Sequence, residues 1–409
     1  EYVHDHQHPV TTQEDRFTSE QVDAPEAILE LPHECQPGRS IGSGLAWPVV
    51  LGEHRRTTSL SISMPNRPDV RAPMVYFSAV EVIETEGGKR ASKALVTLTD
   101  LDAHLASLPA ELVEKAGSQF ANITSPRPAL KMGARNILLD QPRVMGILNC
   151  TPDSFSDGGK HGDEPEALAQ IGGDMAAAGA AIIDVGGEST RPGAPLVWEG
   201  DEIKRVQPVV ERLANAGHAV SIDTRKAAVM EASLQAGATM INDISALLFD
   251  DRSLEVAKAS NCPIVLMHAP SQSSDPHKSD GYHDVLFDVY DWLEERVEAL
   301  VAAGISRDRL LVDPGIGFGK SLSDNLTLVN NLSMFHGIGC PVLFGASRKR
   351  MIGALSNEAP ANARLGGSIF LAMKAVEQGA HIVRVHDVPE TVQAIHVWRG
   401  LRDAALTAG

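Results

Sequence analysis

Eight short apolar runs, each ending in polar or turn-forming residues, recur from Val144 onward and constrain the fold more than any other feature of the chain. They are VMGILN (144–149), AIIDVGG (181–187), AVSIDT (219–224), MINDIS (240–245), PIVLMH (263–268), LLVDPG (310–315), PVLFGAS (341–347) and IVRVHD (382–387). Amphipathic stretches such as DVLFDVYDWLEERVEALVAAG (284–304) separate them. Runs rich in Val, Ile and Leu suit strands covered on both faces in a parallel sheet, and even alternation with helices is the pattern of repeated βα units. Eight units in roughly 260 residues predict an α/β fold, a (β/α)8 barrel.

The ends of these runs carry Asn149, Asp184 followed by ESTRPG (188–193), Asp223, Asn242 with Asp243, His268, Asp313, SRK (347–349), and Arg384 with His386 and Asp387. In a barrel they all rim one mouth, the end at which active sites are built. Taken singly, each also reads as a turn former or helix cap. A packed barrel, however, needs no ring of such residues. The first run passes directly into CTPDSFSDGG (150–159), a turn-rich segment that suits a loop.

At 409 residues the chain exceeds the size at which one core stops growing, so two domains or a barrel with an added segment are expected. A formal net charge of -17 favours solubility and argues against broad binding of nucleic acid or an anionic membrane. Cys35, Cys150, Cys262 and Cys340 form no CxxC pair, which predicts free thiols in a reducing compartment. No apolar run approaches the roughly 18 residues of a membrane span. The first residues lack a basic region followed by an apolar one, so a cytoplasmic location is expected.

Residues 1–130 read as an extension and 131–409 as the barrel. Residues 1–75 are rich in Pro, His, Arg and Ser and weakly periodic, which predicts irregular chain. His4, His6 and His8 fit either a metal site or a disordered His-rich start. VYFSAVEVIE (75–84) and ALVTLT (94–99) predict strands and residues 100–121 one or two short helices, together a small, partly irregular α+β segment of unreadable role. KMGARNILLDQPR (131–143) predicts a hairpin closing the bottom of the barrel.

In order and spacing, GILNCTPDSFSDGG, IIDVGGESTRPGA, VSIDTRKAAV, MINDIS, VLMH, LLVDPGIGFGK, GASRKRMIG and RVHDVPETV resemble dihydropteroate synthases, the folate-synthesis family of pterin-binding barrels and the target of sulfonamides. The likeness covers about residues 132–402 and not the first 125 or so. It implies condensation of 6-hydroxymethyl-7,8-dihydropterin pyrophosphate with p-aminobenzoate, with Mg²⁺ as cofactor and a homodimer as the assembly. Three departures stand out: Cys150 where members commonly have Val, Arg350 where many have Ser, and APSQ (269–272) after LMH.

A pterin presents an edge of N–H donors, so burying it requires coplanar acceptors of the kind carboxylates and amides supply. The resemblance gives that edge to Asp223, Asn242 and Asp313, with Asp184 behind them, Met267 and Phe318 as pocket walls, and Lys349 at the ring carbonyl or N5 side. A pyrophosphate leaving group asks for Arg forks and a hard cation. Asn149, Arg191, Arg384 and His386 are the implied candidates, with Asn149 the metal contact. For p-aminobenzoate the implied contacts are Phe155, Thr190, Pro192, Ser347 and Arg350. Asp157 falls near the reacting carbon, and Asp157, Lys349 and Arg384 form the implied catalytic set. GIGFG (315–319) is not a nucleotide fingerprint.

Two other readings stay open. A barrel passing a methyl group from methyltetrahydrofolate to a corrinoid protein would share the Asp and Asn contacts, but has no use for STRPG and SRK. A catalytically silent barrel could serve as a binding module.

Overall fold

In the computed structural model the described residues are 50–53, 56–59, 71–72, 75–86, 89–151 and 165–407. Gly42–Gly409 forms one compact unit; His4, His6, His8 and Cys35 lie outside the described residues. Strands β1 (Val50–Glu53), β2 (Arg56–Ser59), β3 (Arg71–Ala72), β4 (Val75–Tyr76), β5 (Ala79–Glu86) and β6 (Lys89–Thr97) precede helices α1 (Leu101–Ala106) and α2 (Ala110–Thr124). The sheet runs β1-β2-β5-β6, with antiparallel pairs throughout. Here β1 and β2 fall where irregular chain was expected. VLGE and RTTS are too short to show a period, and β2 pairs with a strand more than twenty residues downstream.

The hairpin β7 (Leu130–Met132) and β8 (Arg135–Ile137) leads into the barrel strands β9 (Arg143–Asn149), β10 (Ile182–Gly186), β11 (Val220–Asp223), β12 (Met240–Asp243), β13 (Ile264–Met267), β14 (Leu310–Asp313), β15 (Leu343–Phe344) and β16 (Ile382–Val385). Helices α3 (Pro165–Ala177), α4 (Glu199–Asn215), α5 (Ala227–Gln235), α6 (Ser253–Ser260), α7 (Val285–Ala302), α8 (Leu322–Asn330), α9 (Arg350–Ala354), α10 (Leu365–Glu377) and α11 (Val388–Thr407) alternate with them. The sheet order is β14-β13-β12-β11-β10-β9-β16-β15, and a parallel bridge between Val312 and Val342 joins its two ends. No helix among the described residues is long and apolar enough to cross a membrane.

Side chains of a strand alternate between faces, and this sorts the barrel into two cores. Outward residues such as Ile183, Val185, Ile222, Leu266, Val312 and Val383 pack with the helices. One inward residue near the start of each run, Met145, Ile182, Ala219, Met240, Val265, Leu311, Leu343 and Ile382, joins Leu130, Met132 and Leu139 in a separate buried cluster. The hairpin therefore plugs the N-terminal end, as its sequence suggests.

The segment before the hairpin also packs on the barrel. Gln119 on α2 donates to the Tyr290 hydroxyl of α7 at 3.0 Å, Asn122 to the Gly337 carbonyl at 2.8 Å, and Lys115 pairs with Glu294 at 2.8 Å.

Candidate active site

Two positions beyond the apolar inner layer, the same inward columns reach Asp184, Asn242, Met267, Asp313, Gly345 and Arg384, and β11 reaches Asp223 after Ser221. The period of two alone carries these groups to the C-terminal mouth. At its centre Arg384 donates through Nε to Asp184 Oδ2 at 2.6 Å and through Nη2 to Asp223 Oδ2 at 2.5 Å. Asn242 Nδ2 donates to the same Asp184 oxygen at 2.9 Å. Asp184 is fully buried, and its Oδ1 finds no partner among the described residues.

Burial pushes the Asp223 carboxyl upward against the pull of Arg384. Burial would lower Arg384, yet its two carboxylates outweigh that and hold it above its ordinary range. Removing such charges from water costs several kcal/mol per ion, roughly, before pairing offsets it. The mouth is thus an expensive arrangement for a barrel that only had to fold.

Asp313 is buried, and its Oδ1 accepts the Gly315 N–H at 2.8 Å. Burial raises its carboxyl and Lys349 draws it back. Lys349 donates to the Ile316 carbonyl and lies over the Phe318 ring, 4.7 Å from its centroid. Burial lowers this lysine to about 8. Phe318, in the loop after β14, and Met267, at the end of β13, meet with Ile244 and Ala269 in a small apolar cluster.

The SRK turn is held in an unusual conformation. Arg348 has φ +57, sparsely populated by non-glycine residues. Two bonds from its guanidinium to Asp387, at 2.5 and 3.2 Å, and donation of its backbone N–H to Ser368 Oγ at 2.9 Å keep it there. Strain of this kind clusters at functional sites. Beside it, Ser347 Oγ lies 3.0 Å from His386 Nδ1. Burial lowers His386 to about 4, so its imidazole is neutral near pH 7.

Several predicted residues are not drawn into this network. Asn149 and Thr190 are half-buried at the rim, while Arg191, Pro192 and Arg350 are exposed. Arg350 opens α9. Phe155 and Asp157 lie outside the described residues.

Sequence reasoning also missed residues that tie the loops together. Lys226 pairs with Glu202 at 2.5 Å and Glu188 at 3.0 Å, while Thr224 donates to Glu202 at 2.7 Å. Arg225 pairs with Glu188 at 3.3 Å, donates to the Ser273 and Ser274 carbonyls at 3.1 Å each, and stacks over Phe249. Lys320 donates to His268 Nδ1 at 3.0 Å and to the Gly315 and Phe318 carbonyls at 2.9 and 3.1 Å. Burial brings Lys320 down to about 7. The cations of TRK and GFGK were the available signal; their partners lie too far along the chain to read.

A separate cavity of about 740 Å³ opens between α5 and α6 beside the β7–β8 hairpin, lined by Lys131, Leu234, Thr239, Arg252, Val256 and Cys262 among others. It contains none of the mouth residues, and the convergence of charged groups favours the mouth as the site of chemistry.

The profile of a family described as pterin binding enzyme matches residues 145–386. The dihydropteroate synthase of Escherichia coli (strain K12) is 46% identical over 271 residues, covering 66% of this chain and 95% of its own. That of Bacillus subtilis (strain 168) is 43% identical over 267 residues, covering 65% and 89%. Among solved structures, Xanthomonas albilineans dihydropteroate synthase with 4-aminobenzoic acid is 45% identical, with a TM-score of 0.64 over 68% of this chain and 98% of that one. The same organism's enzyme in complex with 7,8-dihydropteroate gives 43% and 0.61, covering 67% and 99%. A Yersinia pestis dihydropteroate synthase with a sulfonamide drug gives 45% and 0.63, covering 68% and 100%. With the barrel, its charged mouth and these relatives together, the chain belongs to the dihydropteroate synthase family of pterin-binding enzymes.

Proposed function

We propose that the barrel mouth condenses 6-hydroxymethyl-7,8-dihydropterin pyrophosphate with p-aminobenzoate, giving 7,8-dihydropteroate and pyrophosphate. The observation that carries this reading is the convergence of Asp184, Asp223, Asn242, Asp313, Lys349 and Arg384 from five strands and one loop at one end of the barrel. Asp223, Asn242 and Asp313 supply acceptors for the pterin N–H edge, and Asp184 steadies Asn242 and Arg384 from below. Met267 and Phe318 cover the ring, and Lys349 donates to the acceptor side of the heterocycle.

The amine nitrogen attacks the CH₂ carbon, the C–O bond to pyrophosphate breaks, and the amine proton leaves to solvent. As that bond lengthens, positive charge spreads into the pterin beside Asp223 and Asp313. Negative charge collects on the pyrophosphate, to which Arg384 and Arg191 bring cations and His386 a neutral ring. Fixed charges aimed at developing ones lower such a barrier without reorganising. Thr190, Pro192, Ser347 and the start of α9 at Arg350 take the arylamine; Phe155 and Asp157, outside the described residues, keep the arylamine and catalytic roles that the resemblance implies.

Asn149 offers one neutral amide oxygen at the rim. That donor set fits Mg²⁺, which keeps waters and substrate phosphate oxygens rather than filling an all-protein cage. When bound there by Asn149, Mg²⁺ would neutralise charge on the pyrophosphate.

A homodimer is supported by exposed apolar residues on neighbouring helices: Leu365 and Phe370 on α10, Val397 and Leu401 on α11. Such patches mark interaction surfaces. Buried thiols at Cys150, Cys262 and Cys340 are consistent with a reducing cytoplasm. The test is pyrophosphate release by the purified chain with both substrates, and competition by a sulfonamide against p-aminobenzoate. Turnover with competitive inhibition is expected. Absence of release under conditions where a family relative turns over would sink the reading.

A further inference from the structure

The fifth barrel loop, between β13 and α7, sends one side chain in two directions. The His277 ring lies parallel to Phe318, 4.9 Å between centroids and 7° between planes. Its Nε2 meets the Thr190 carbonyl oxygen at 2.8 Å. A carbonyl oxygen only accepts, so Nε2 carries the proton. The stack fixes a pocket wall after β14, and the hydrogen bond fixes the loop after β10.

The loop that carries His277 is itself held in place. Arg225 binds the carbonyls of Ser273 and Ser274, and Asp275 Oδ1 accepts the His277 backbone N–H at 2.9 Å. The chain after Phe318 comes so close that a Cβ at Gly319 would lie 2.3 Å from Pro270 Cγ and 2.9 Å from the His277 carbonyl oxygen. His277 therefore links three loops that approach the mouth from different strands.

We propose that His277 is a positioning residue with two separable effects: its ring holds Phe318 against the pterin, and its N–H holds Thr190 and the STRPG segment over the arylamine. This rests on the reaction assigned above. The two effects lie on different atoms, so two substitutions divide them. His277→Phe keeps a flat ring and loses the donor. His277→Gln keeps a donor and loses the ring.

The experiment is steady-state condensation by the full chain, varying each substrate in turn, with melting temperature measured alongside. His277→Phe is expected to raise KM for p-aminobenzoate about 3- to 10-fold, the range of one hydrogen bond, with KM for the pterin pyrophosphate within about twofold. His277→Gln is expected to show the reverse preference. Unchanged KM values in both variants would overturn the proposal. So would equal rises for both substrates accompanied by a lower melting temperature, which is what a merely structural histidine would give. A wild-type chain without turnover would instead remove the reaction itself, and this inference with it.

Discussion

The two ends of the barrel use the same strands in opposite ways. At the N-terminal end Met145, Ile182, Met240, Val265, Leu311 and Ile382 close on the β7–β8 hairpin in an apolar layer. Two residues further along, buried Asp184, Asn242 and Asp313 and half-buried Arg384 form a layer of charge and amide. Burial stabilises the first layer, at about 25 cal/mol per Å² of apolar surface. It penalises the second, where Asp223 and Asp313 are pushed up and Lys349 down. A single period therefore separates residues kept for folding from residues kept for a ligand, and substitutions at the two layers should move different observables.

Lys349→Met should give the largest effect. Removing one preorganised donor costs on the order of 10²- to 10³-fold in turnover, and kcat/KM for the pterin pyrophosphate should fall by that amount with little change in melting temperature. A variant that melted early while retaining turnover would break the comparison from the mouth side. Leu311→Ala tests the other layer. Deleting a buried leucine side chain costs about 2 to 5 kcal/mol, so denaturant midpoints should drop while KM for both substrates holds. Loss of activity without loss of stability would show that the lower layer also serves the ligand.

A smaller effect is expected outside the barrel proper. Gln119→Leu removes the donor to the fully buried Tyr290 hydroxyl, and losing one such partner costs about 1 to 3 kcal/mol. Melting temperature should fall and kinetics should stay unchanged, because every group of the mouth network follows β8 in the chain. Altered KM would mean that α2 communicates with the mouth.

The gentlest perturbation is pH. Burial lowers Lys349 to about 8, so the ammonium is present below that value and is lost as pH rises through it. Pterin affinity should decline above about pH 8, by at most tenfold per pH unit for one proton. Lys349→Arg, which stays charged, should move that limb upward. A limb that stayed in place would assign it to another group.

Much of this contrast was legible in the chain. Eight apolar runs gave the strand positions to within a few residues, and their polar ends gave the mouth. The plug was readable because KMGARNILLDQPR (131–143) alternates around a turn. Pairings between distant positions were not readable: Arg384 with Asp184, Arg225 with the 273–274 carbonyls, and Gln119 with Tyr290 each depend on closure of the whole barrel. His277 left no periodic trace either, since it sits in a loop whose conformation is set by Arg225 and Asp275 rather than by strand or helix geometry. β15, only two residues long, was read as longer because PVLFGAS stays apolar beyond the point where pairing stops.

Asp313 offers the most direct test, since it stands two residues beyond Leu311 on the same strand. Asp313→Asn replaces one acceptor with a donor, and hydrogen bonds to a charged group are worth about 1.5 to 3 kcal/mol. Calorimetric titration of this variant with a pterin ligand, paired with its melting curve, should show affinity reduced roughly 10-fold to several hundred-fold and a melting temperature close to wild type. Near-normal affinity with a large fall in melting temperature would mean that Asp313 holds the barrel together rather than the ligand.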